Sequence, residues 1–230
     1  MSEAHLSLLI ATTNRGKLAE LRALLADLPV EILSLADVLP DRPPVAEDGA
    51  TFEENALIKA RAASSAAMMV TLAEDSGLEV DALGGRPGVR SARYSKEGAT
   101  DAENNEALLT ALEHVEDTQR QARFRCVMVL IDPWSDEGPI VDEGRCEGLI
   151  DREARGTGGF GYDPLFVVDG CGRTMAELDD EEKNRVSHRG KAARAMRPAL
   201  EAMIERRVRE AHHTLGVARR ADEAGEGGGG

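Results

Sequence analysis

The sequence predicts an α/β fold built around a mixed β-sheet. Apolar segments typical of buried strands alternate with helical segments in the first half of the chain, whereas strand segments cluster in the second half. This combination is typical of a sheet that contains both parallel and antiparallel pairs. The chain has 230 residues, 42% of them hydrophobic, which is enough to form one substantial core.

Seven segments have the composition of strands. The first is apolar without alternation, as a buried strand is, and residues 122–131 alternate before they become apolar. Residues 140–150 follow across the loop DPWSDEGP and are expected to pair with 122–131. The predicted strands are residues 6–12, 30–35, 70–75, 78–83, 122–131, 140–150 and 164–168.

Four segments are predicted to be helices. The first carries leucines at helical spacing, and the capping-box pairs Thr51–Glu54 and Thr100–Glu103 open the next two. Pro198 lies inside the fourth and is expected to kink it or to end its first half. The predicted helices are residues 15–27, 51–69, 100–115 and 189–209.

We expect residues 1–205 to form a single domain and residues 206–230 to form a disordered tail. The tail segment is highly charged and ends in GEGGGG, a composition that cannot bury an apolar face. The tail is therefore expected to have no part in the fold.

The charge balance argues against two classes of partner, nucleic acids and membrane surfaces. Acidic residues outnumber basic ones by 42 to 28, giving a net charge of −14, whereas general nucleic-acid or membrane-surface binding needs a basic face.

The apolar run Leu6–Ala11 lacks the basic segment that begins a signal sequence, and no stretch has the length of a membrane span. Cys126, Cys146 and Cys171 form no paired motif, which favours a reducing cytoplasm.

The turn from Thr12 to Lys17 joins the first strand to the first helix. This is where α/β proteins commonly bind phosphates, because the amides of a helix N-terminus point at the ligand. The turn is not a P-loop, since Leu18 stands where that motif needs Ser or Thr. From position alone, an ordinary helix cap with a surface lysine is an equally good interpretation.

Two acidic pairs and two lysines are further candidates. Glu74 and Asp75 end a predicted strand, and Glu47 and Asp48 lie in a loop. Such carboxylates suit Mg²⁺, which also binds substrate phosphates. Solvated loop acids are the simpler interpretation in a chain with so many acids. Lys59 and Lys183 are candidates for binding an anion, but each, taken by itself, fits an ordinary solvent-exposed helix face equally well.

The glycine-rich stretch GTGGFGYDP, residues 156–164, contains the string of a dinucleotide-binding motif. That motif requires a strand before it and a helix after it, whereas here a strand follows. The glycines can still let the backbone approach a flat ligand, on which Phe160 or Tyr162 can stack, with Asp163 accepting hydrogen bonds. A tight connection between strands is the alternative.

Five motifs, in this order, resemble one family. They are ATTNRGK, EDGATFEENALIKA, AEDSGLEVDALGGRPGVRSARYS, GTGGFGYDPLF and EEKNRVSHRGKA. The chain resembles the RdgB-like inosine/xanthosine triphosphate pyrophosphatases, which act on non-standard purine nucleotides, over about residues 6–204. It departs from them in the DPWSDEGP loop and in the tail.

The resemblance implies a two-lobed fold around a long mixed sheet, with the active site in the cleft. It also implies Mg²⁺-dependent hydrolysis of ITP, dITP and XTP to the monophosphate and pyrophosphate, one Mg²⁺ per subunit, a cytoplasmic homodimer, and no nucleic-acid or membrane partner. Glu47 and Asp75 match the metal ligands, and Asp75 also matches the proton acceptor. Whether Glu74 binds the metal stays open. The positions that match substrate-binding residues are Thr12, Thr13, Asn14, Arg15, Gly16, Lys17, Lys59, Ser76, Phe160, Gly161, Tyr162, Asp163, Lys183, His188 and Arg189.

Two other functions remain open from the sequence. A Maf-like pyrophosphatase would cut the same bond in other nucleotides, and a nucleotide sensor would bind without hydrolysis. Hypoxanthine and xanthine carry an acceptor oxygen at C6 where adenine carries an amino group, so a buried donor there would select them. We expect His188, Arg189 or their backbone amides to supply that donor.

Overall fold

The computed structural model describes residues 6–43 and 45–226, with side chains described as far as His213. Its strands are β1 (Leu6–Ile10), β2 (Val30–Ser34), β3 (Thr71–Val80), β4 (Gln121–Ile131), β5 (Ile140–Ile150) and β6 (Phe166–Val168). The described strands form one sheet in the order β2–β1–β3–β4–β5–β6. β1 pairs in parallel with β2 and β3, and the remaining pairs are antiparallel, so the mixed sheet predicted from the sequence is confirmed.

The helices begin at the capping signals that the sequence contains. Thr51 and Thr100 each accept a hydrogen bond from the backbone of the glutamate three residues on. Asp179 caps a short helix within the acidic segment that follows β6. The helices are α1 (Arg15–Leu24), α2 (Leu35–Val38), α3 (Phe52–Ala67), α4 (Asp101–Ala111), α5 (Asp180–Val186) and α6 (His188–Glu226), and a 3₁₀ segment, Gly88–Arg93, lies between β3 and α4.

β3 is one strand where two were predicted. The sequence analysis divided it at Ser76-Gly77, but pairing with β4 runs unbroken from Thr71 opposite Ile131 to Val80 opposite Ala122. A complete ladder of hydrogen bonds to a neighbouring strand outweighs the weak strand preference of Ser and Gly. As a result Asp75 and Ser76 lie in the middle of a strand and are held rigidly.

α6 extends further than predicted. It runs through Pro198 without ending there, which excludes one of the two expected effects of that proline, and it continues through residues 206–226, where a disordered tail was expected. Arginine, alanine and glutamate dominate this stretch and favour helix, and ion pairs such as Arg209–Glu205 link successive turns. The expected tail also includes residues 227–230, which lie outside the described residues. In the part of the chain that is described, no helix has the length and apolar character needed to cross a bilayer.

Helices cover both faces of the sheet around β3. On one face Leu72, Cys126 and Met128 pack with α6 and α1; on the other Ala73 and Val129 pack with α3. A third apolar group, around Phe166, fills the β5–β6 end. Because side chains alternate along a strand, neighbouring residues of β3 point into different layers.

Candidate functional site

The turn between β1 and α1 is both a helix cap and part of a larger cluster. Asn14 is the N-cap, and its Oδ1 accepts a hydrogen bond from the backbone amide of Lys17 at 3.0 Å. The Asn14 amide in turn donates to Thr12 Oγ1. Thr13, Asn14 and Arg15 are exposed. The alternative of a surface lysine is wrong, because the Lys17 side chain is only 15% exposed and its Nζ lies 3.6 Å from Glu74 Oε1.

Glu47 and Asp75, distant in the chain, meet at Lys59. The Lys59 ammonium lies 2.9 Å from Glu47 Oε2 and 2.8 Å from Asp75 Oδ1. α3 supplies Lys59, β3 supplies Asp75, and Glu47 comes from the loop before α3. The structure therefore brings together the two acids that the sequence analysis assigned to a metal. Lys59 is not the solvated lysine of the alternative interpretation.

Two residues that the sequence analysis missed hold this cluster in place. Asn55, one turn before Lys59 on α3, directs its Nδ2 at Asp75 Oδ2 (3.4 Å), and its Oδ1 accepts the Gly49 amide at 2.8 Å. Arg93 donates to the backbone carbonyl of Glu47 at 3.0 Å. The spacing of Asn55 and Lys59, four residues apart on one helix, was a signal that they share a face.

The charges of this cluster are interdependent. Burial acts against the charge on Lys59, but attraction to Asp75 and Glu47 outweighs it, so the pKa of Lys59 lies above its ordinary value. Burial also acts to raise the pKa of Glu47, yet Lys59 holds that pKa below its ordinary value. The pKa of Asp75 is raised, mainly by its burial, despite the same lysine.

Glu74 lies on the opposite face of the sheet and is paired differently. Arg189 Nε donates to its Oε1 at 2.9 Å and Arg189 Nη2 to its Oε2 at 3.2 Å. The Cys126 thiol donates to Oε2 at 3.0 Å. Burial acts to raise the pKa of Glu74, but Arg189 and Lys17 outweigh it and hold the pKa well below its ordinary value. Both carboxylate oxygens are engaged, and Glu74 does not join Glu47 and Asp75.

The glycine-rich loop packs against the start of α1. A Cβ atom at Gly16 would lie 2.7 Å from a ring carbon of Phe160, so only glycine permits this contact. The Lys183 ammonium and the Arg189 guanidinium lie 5.1 and 5.6 Å from the centre of the same ring. Of the two candidate stacking residues, only Phe160 is partly exposed, since Tyr162 is buried in the core.

Acidic side chains hold the cations beside that ring. Lys183 Nζ donates to Asp163 Oδ2 at 2.7 Å and lies 2.6 Å from Glu20. Glu20 also pairs with Arg189, whose Nη2 donates to Ser76 Oγ at 3.0 Å. The sequence analysis missed Glu20, although its position three residues after Lys17 on α1 places it on the same helix face.

His188 is buried in contact with an aromatic ring. Its imidazole stacks on Phe124 with centroids 4.7 Å apart, and its Nδ1 has no hydrogen-bond partner among the described residues. Burial, reinforced by the charge of Arg189, holds the pKa of His188 well below its ordinary value; Glu74 opposes this shift, and Lys17 and Lys183 add to it. The histidine is therefore neutral at pH 7.

We expect this buried histidine to make the protein less stable in acid. Below pH 6.5 the unfolded chain binds a proton at His188 that the folded chain does not, so stability falls as the pH falls. Between pH 7 and 5 wild type should lose about 2 kcal/mol more unfolding free energy than His188→Gln. Urea titrations at both pH values measure this. His114→Gln, which changes an exposed histidine, should behave as wild type; equal losses in all three proteins would contradict the assignment.

A cavity of about 470 Å³ opens beside the Lys59 cluster. Thr12, Thr13, Asn14 and Lys17 line one part of it, and Glu47 and Lys59 line another. Within the described residues, no group of three or more His, Cys, Asp and Glu side chains is placed to hold a metal ion by itself. Glu47 and Asp75 offer two carboxylates, which is the number that Mg²⁺ commonly takes from a protein when phosphates complete its coordination.

The chain is similar to known proteins in sequence and in fold. A model of the Ham1 family matches residues 8–199. The dITP/XTP pyrophosphatase of Geobacter sulfurreducens is 52% identical over 193 residues, 84% of this chain and 96% of that protein. That of Escherichia coli K12 is 49% identical over 191 residues, 83% and 96% of the two chains. The structure of a HAM1 protein from Coxiella burnetii matches with a TM-score of 0.77 and 44% identity, covering 86% of this chain and 99% of that one.

Proposed function

The chain belongs to the Ham1 family, and on this basis we propose that it converts dITP, ITP and XTP to the monophosphate and pyrophosphate. It is a hydrolase that acts on acid anhydrides, the reaction named for its relatives. The observation that carries the proposal for this chain is the contact of Lys59 with both Glu47 and Asp75 beside the Thr12–Lys17 turn. Acids and cations from three separate segments converge there on one cavity.

The triphosphate binds along the turn and the two lysines of the cavity. The first turn of α1 favours an anion through its amides and its dipole. Lys17 and Lys59 add positive charge on either side of β3, and both are largely buried, which strengthens their attraction to phosphate oxygens. Thr12 and Thr13 line the same cavity and offer hydroxyl groups.

Glu47 and Asp75 are the residues that would hold Mg²⁺. The Lys59 ammonium contacts both carboxylates, so a positive charge is favoured between them, and hard oxygen ligands suit this ion. A Mg²⁺ held there would supply charge neutralisation for the phosphate oxygens. Asp75 additionally orients the attacking water and accepts its proton. Asn55 and Arg93 hold the two acids in position. Asn55 donates to the side chain of Asp75, and Arg93 donates to the backbone carbonyl of Glu47.

The base binds at the Phe160–Asp163 loop. Phe160 offers a partly exposed ring held by Gly16, Lys183 and Arg189. Four of the five N–H groups of the Arg189 side chain are committed to Glu74, Glu20 and Ser76. We therefore assign recognition of the C6 oxygen to His188, to the backbone amides of His188 and Arg189, or to the remaining N–H of Arg189 Nη1. Because glycine has no Cβ atom, the backbone of the Phe160–Asp163 loop can approach the base closely enough to form hydrogen bonds.

A non-catalytic nucleotide sensor is the less well supported function. A pure binder needs the cations but not two carboxylates placed beside the phosphates, where they repel the ligand unless a metal ion intervenes. The proposal further includes a homodimer in the cytoplasm, as the resemblance implies, with neither nucleic acid nor membrane as a partner.

Turnover with a panel of nucleotides tests the proposed reaction. With Mg²⁺ we expect pyrophosphate from ITP, dITP and XTP and little from ATP or dTTP. Removing the metal with EDTA should lower the rate by at least about 10²-fold, because the phosphate charge is then left to the two lysines. Ion chromatography of the products measures both. Release of orthophosphate would indicate cleavage of a different bond, turnover of dTTP would favour the Maf-like alternative, and binding of ITP without turnover would favour the sensor.

A further inference from the structure

Two side chains of α4 grip the peptide units on either side of Gly161. Asp101 Oδ2 accepts the Gly161 amide at 2.7 Å, and Asn105 Nδ2 donates to the Gly161 carbonyl at 3.0 Å. The two residues are four apart on the helix and so share a face. No part of the sequence analysis assigned a role to either of them.

The glycine-rich loop around Gly161 would have unusual backbone flexibility without these contacts. Gly156, Gly158, Gly159 and Gly161 fall within six positions, and Gly161 has a φ of +62°, which a side chain would disfavour. A chain this rich in glycine has many conformations to lose when it orders. Hydrogen bonds that fix two successive peptide units favour one of these conformations. In that conformation the Phe160 ring packs against Gly16.

α4 is itself anchored to the 3₁₀ segment Gly88–Arg93 and to the residues that follow it. Asn104 is buried; its Oδ1 accepts the Ser95 amide at 3.0 Å, and its Nδ2 donates to the Ala92 carbonyl at 3.2 Å. The same 3₁₀ segment carries Arg93, which holds the Glu47 backbone. The helix that positions the glycine loop is therefore attached to the segment that positions a proposed metal ligand.

We propose that Asp101 and Asn105 are positioning residues for base recognition, holding the Phe160–Asp163 loop in the conformation that accepts a purine. This inference rests on the proposed function of that loop. Neither residue touches the phosphate site, so they act by increasing the fraction of free molecules whose loop is ready to bind the base. When this fraction falls, the apparent dissociation constant rises in proportion, whereas the bound complex is unchanged.

Steady-state kinetics with ITP separate this role from a catalytic or merely structural one. Asp101→Ala should raise KM about tenfold, since a hydrogen bond to a charged group is lost, while kcat stays within about twofold. Asp101→Asn, which keeps an acceptor oxygen, should recover most of the affinity. Asn105→Ala should shift KM in the same direction. Glu106→Ala, an exposed acid on the same helix, is the matched control and should leave both constants unchanged.

Hydrogen exchange of the Phe160–Tyr162 amides provides a readout that does not depend on turnover. Exchange should accelerate in Asp101→Ala and stay at the wild-type rate in Glu106→Ala. If wild type fails to hydrolyse ITP, the proposed function is wrong, and exchange still decides whether α4 holds the loop. If Asp101→Ala matches Glu106→Ala in KM and in exchange, or lowers kcat at unchanged KM, the positioning role is overturned.

Discussion

Asp75→Asn is expected to lower kcat for ITP about 10³-fold while the protein stays folded. The amide keeps the shape of the carboxylate and its one oxygen can still accept from Lys59, although its NH₂ group then faces the Asn55 donor. It can neither accept a proton from water nor offer a charged ligand to Mg²⁺. Asp75 is the more buried of the two acids at Lys59, and its burial raises its pKa. The variant removes both proposed roles at once.

The measurement is pyrophosphate release at saturating ITP and Mg²⁺, together with a thermal melt of each protein. Asp136→Asn makes the same change at an exposed position in the loop between β4 and β5 and should keep the wild-type rate. A near-normal kcat in Asp75→Asn would show that Asp75 is not the proton acceptor. A melting temperature far below that of wild type would instead point to a structural role for the carboxylate.

Arg189→Met is expected to lower the unfolding free energy by about 3–5 kcal/mol. The guanidinium is fully buried and binds both oxygens of Glu74, which is equally buried. Removing it leaves the Glu74 charge in the core with only Lys17, at 3.6 Å, as a counter-charge. The lost partner therefore costs much more than the modest net stabilisation that the intact pair provides.

Denaturant titration of four proteins tests this. Arg209→Met removes an exposed ion pair with Glu205 on the same helix and should cost about 0–1 kcal/mol. The double variant Glu74→Met/Arg189→Met removes both buried charges and should recover most of the loss. If Arg189→Met is no more destabilising than Arg209→Met, or if the double variant is worse than the single one, the Glu74–Arg189 pair is not what stabilises this layer.

Local sequence signals were sufficient for most of the secondary structure. The capping boxes at Thr51 and Thr100 begin α3 and α4, and the hairpin of residues 122–131 and 140–150 forms as β4 and β5. One error lies where distant contacts outweigh local preference, because pairing with β4 keeps β3 continuous through Gly77. Another lies in the tail segment, where α6 continues through a composition that favours helix.

The candidate site was predictable as a set of residues but not as an arrangement. The motif order identified Glu47, Lys59 and Asp75, and the structure joins them. Apart from sharing a helix face with Lys17, Glu20 has no local feature that distinguishes it from other helical acids. It nevertheless pairs with Lys183 and Arg189, which lie far along the chain. Tyr162 and Phe160 are indistinguishable as stacking residues in the sequence, and only the packing of the core shows which ring remains accessible.

The amino-acid sequence by itself predicted most of the strands, the starts of four helices, the family and a set of candidate site residues, because these depend on local spacing and on motif order. Only the tertiary structure decided that Glu74 and Asp75, adjacent in β3, serve different clusters. Alternation along a strand sends them to opposite faces, but which cations meet each face depends on how α3 and α6 pack. Those contacts join residues 16 and 115 positions apart, and no local pattern encodes them.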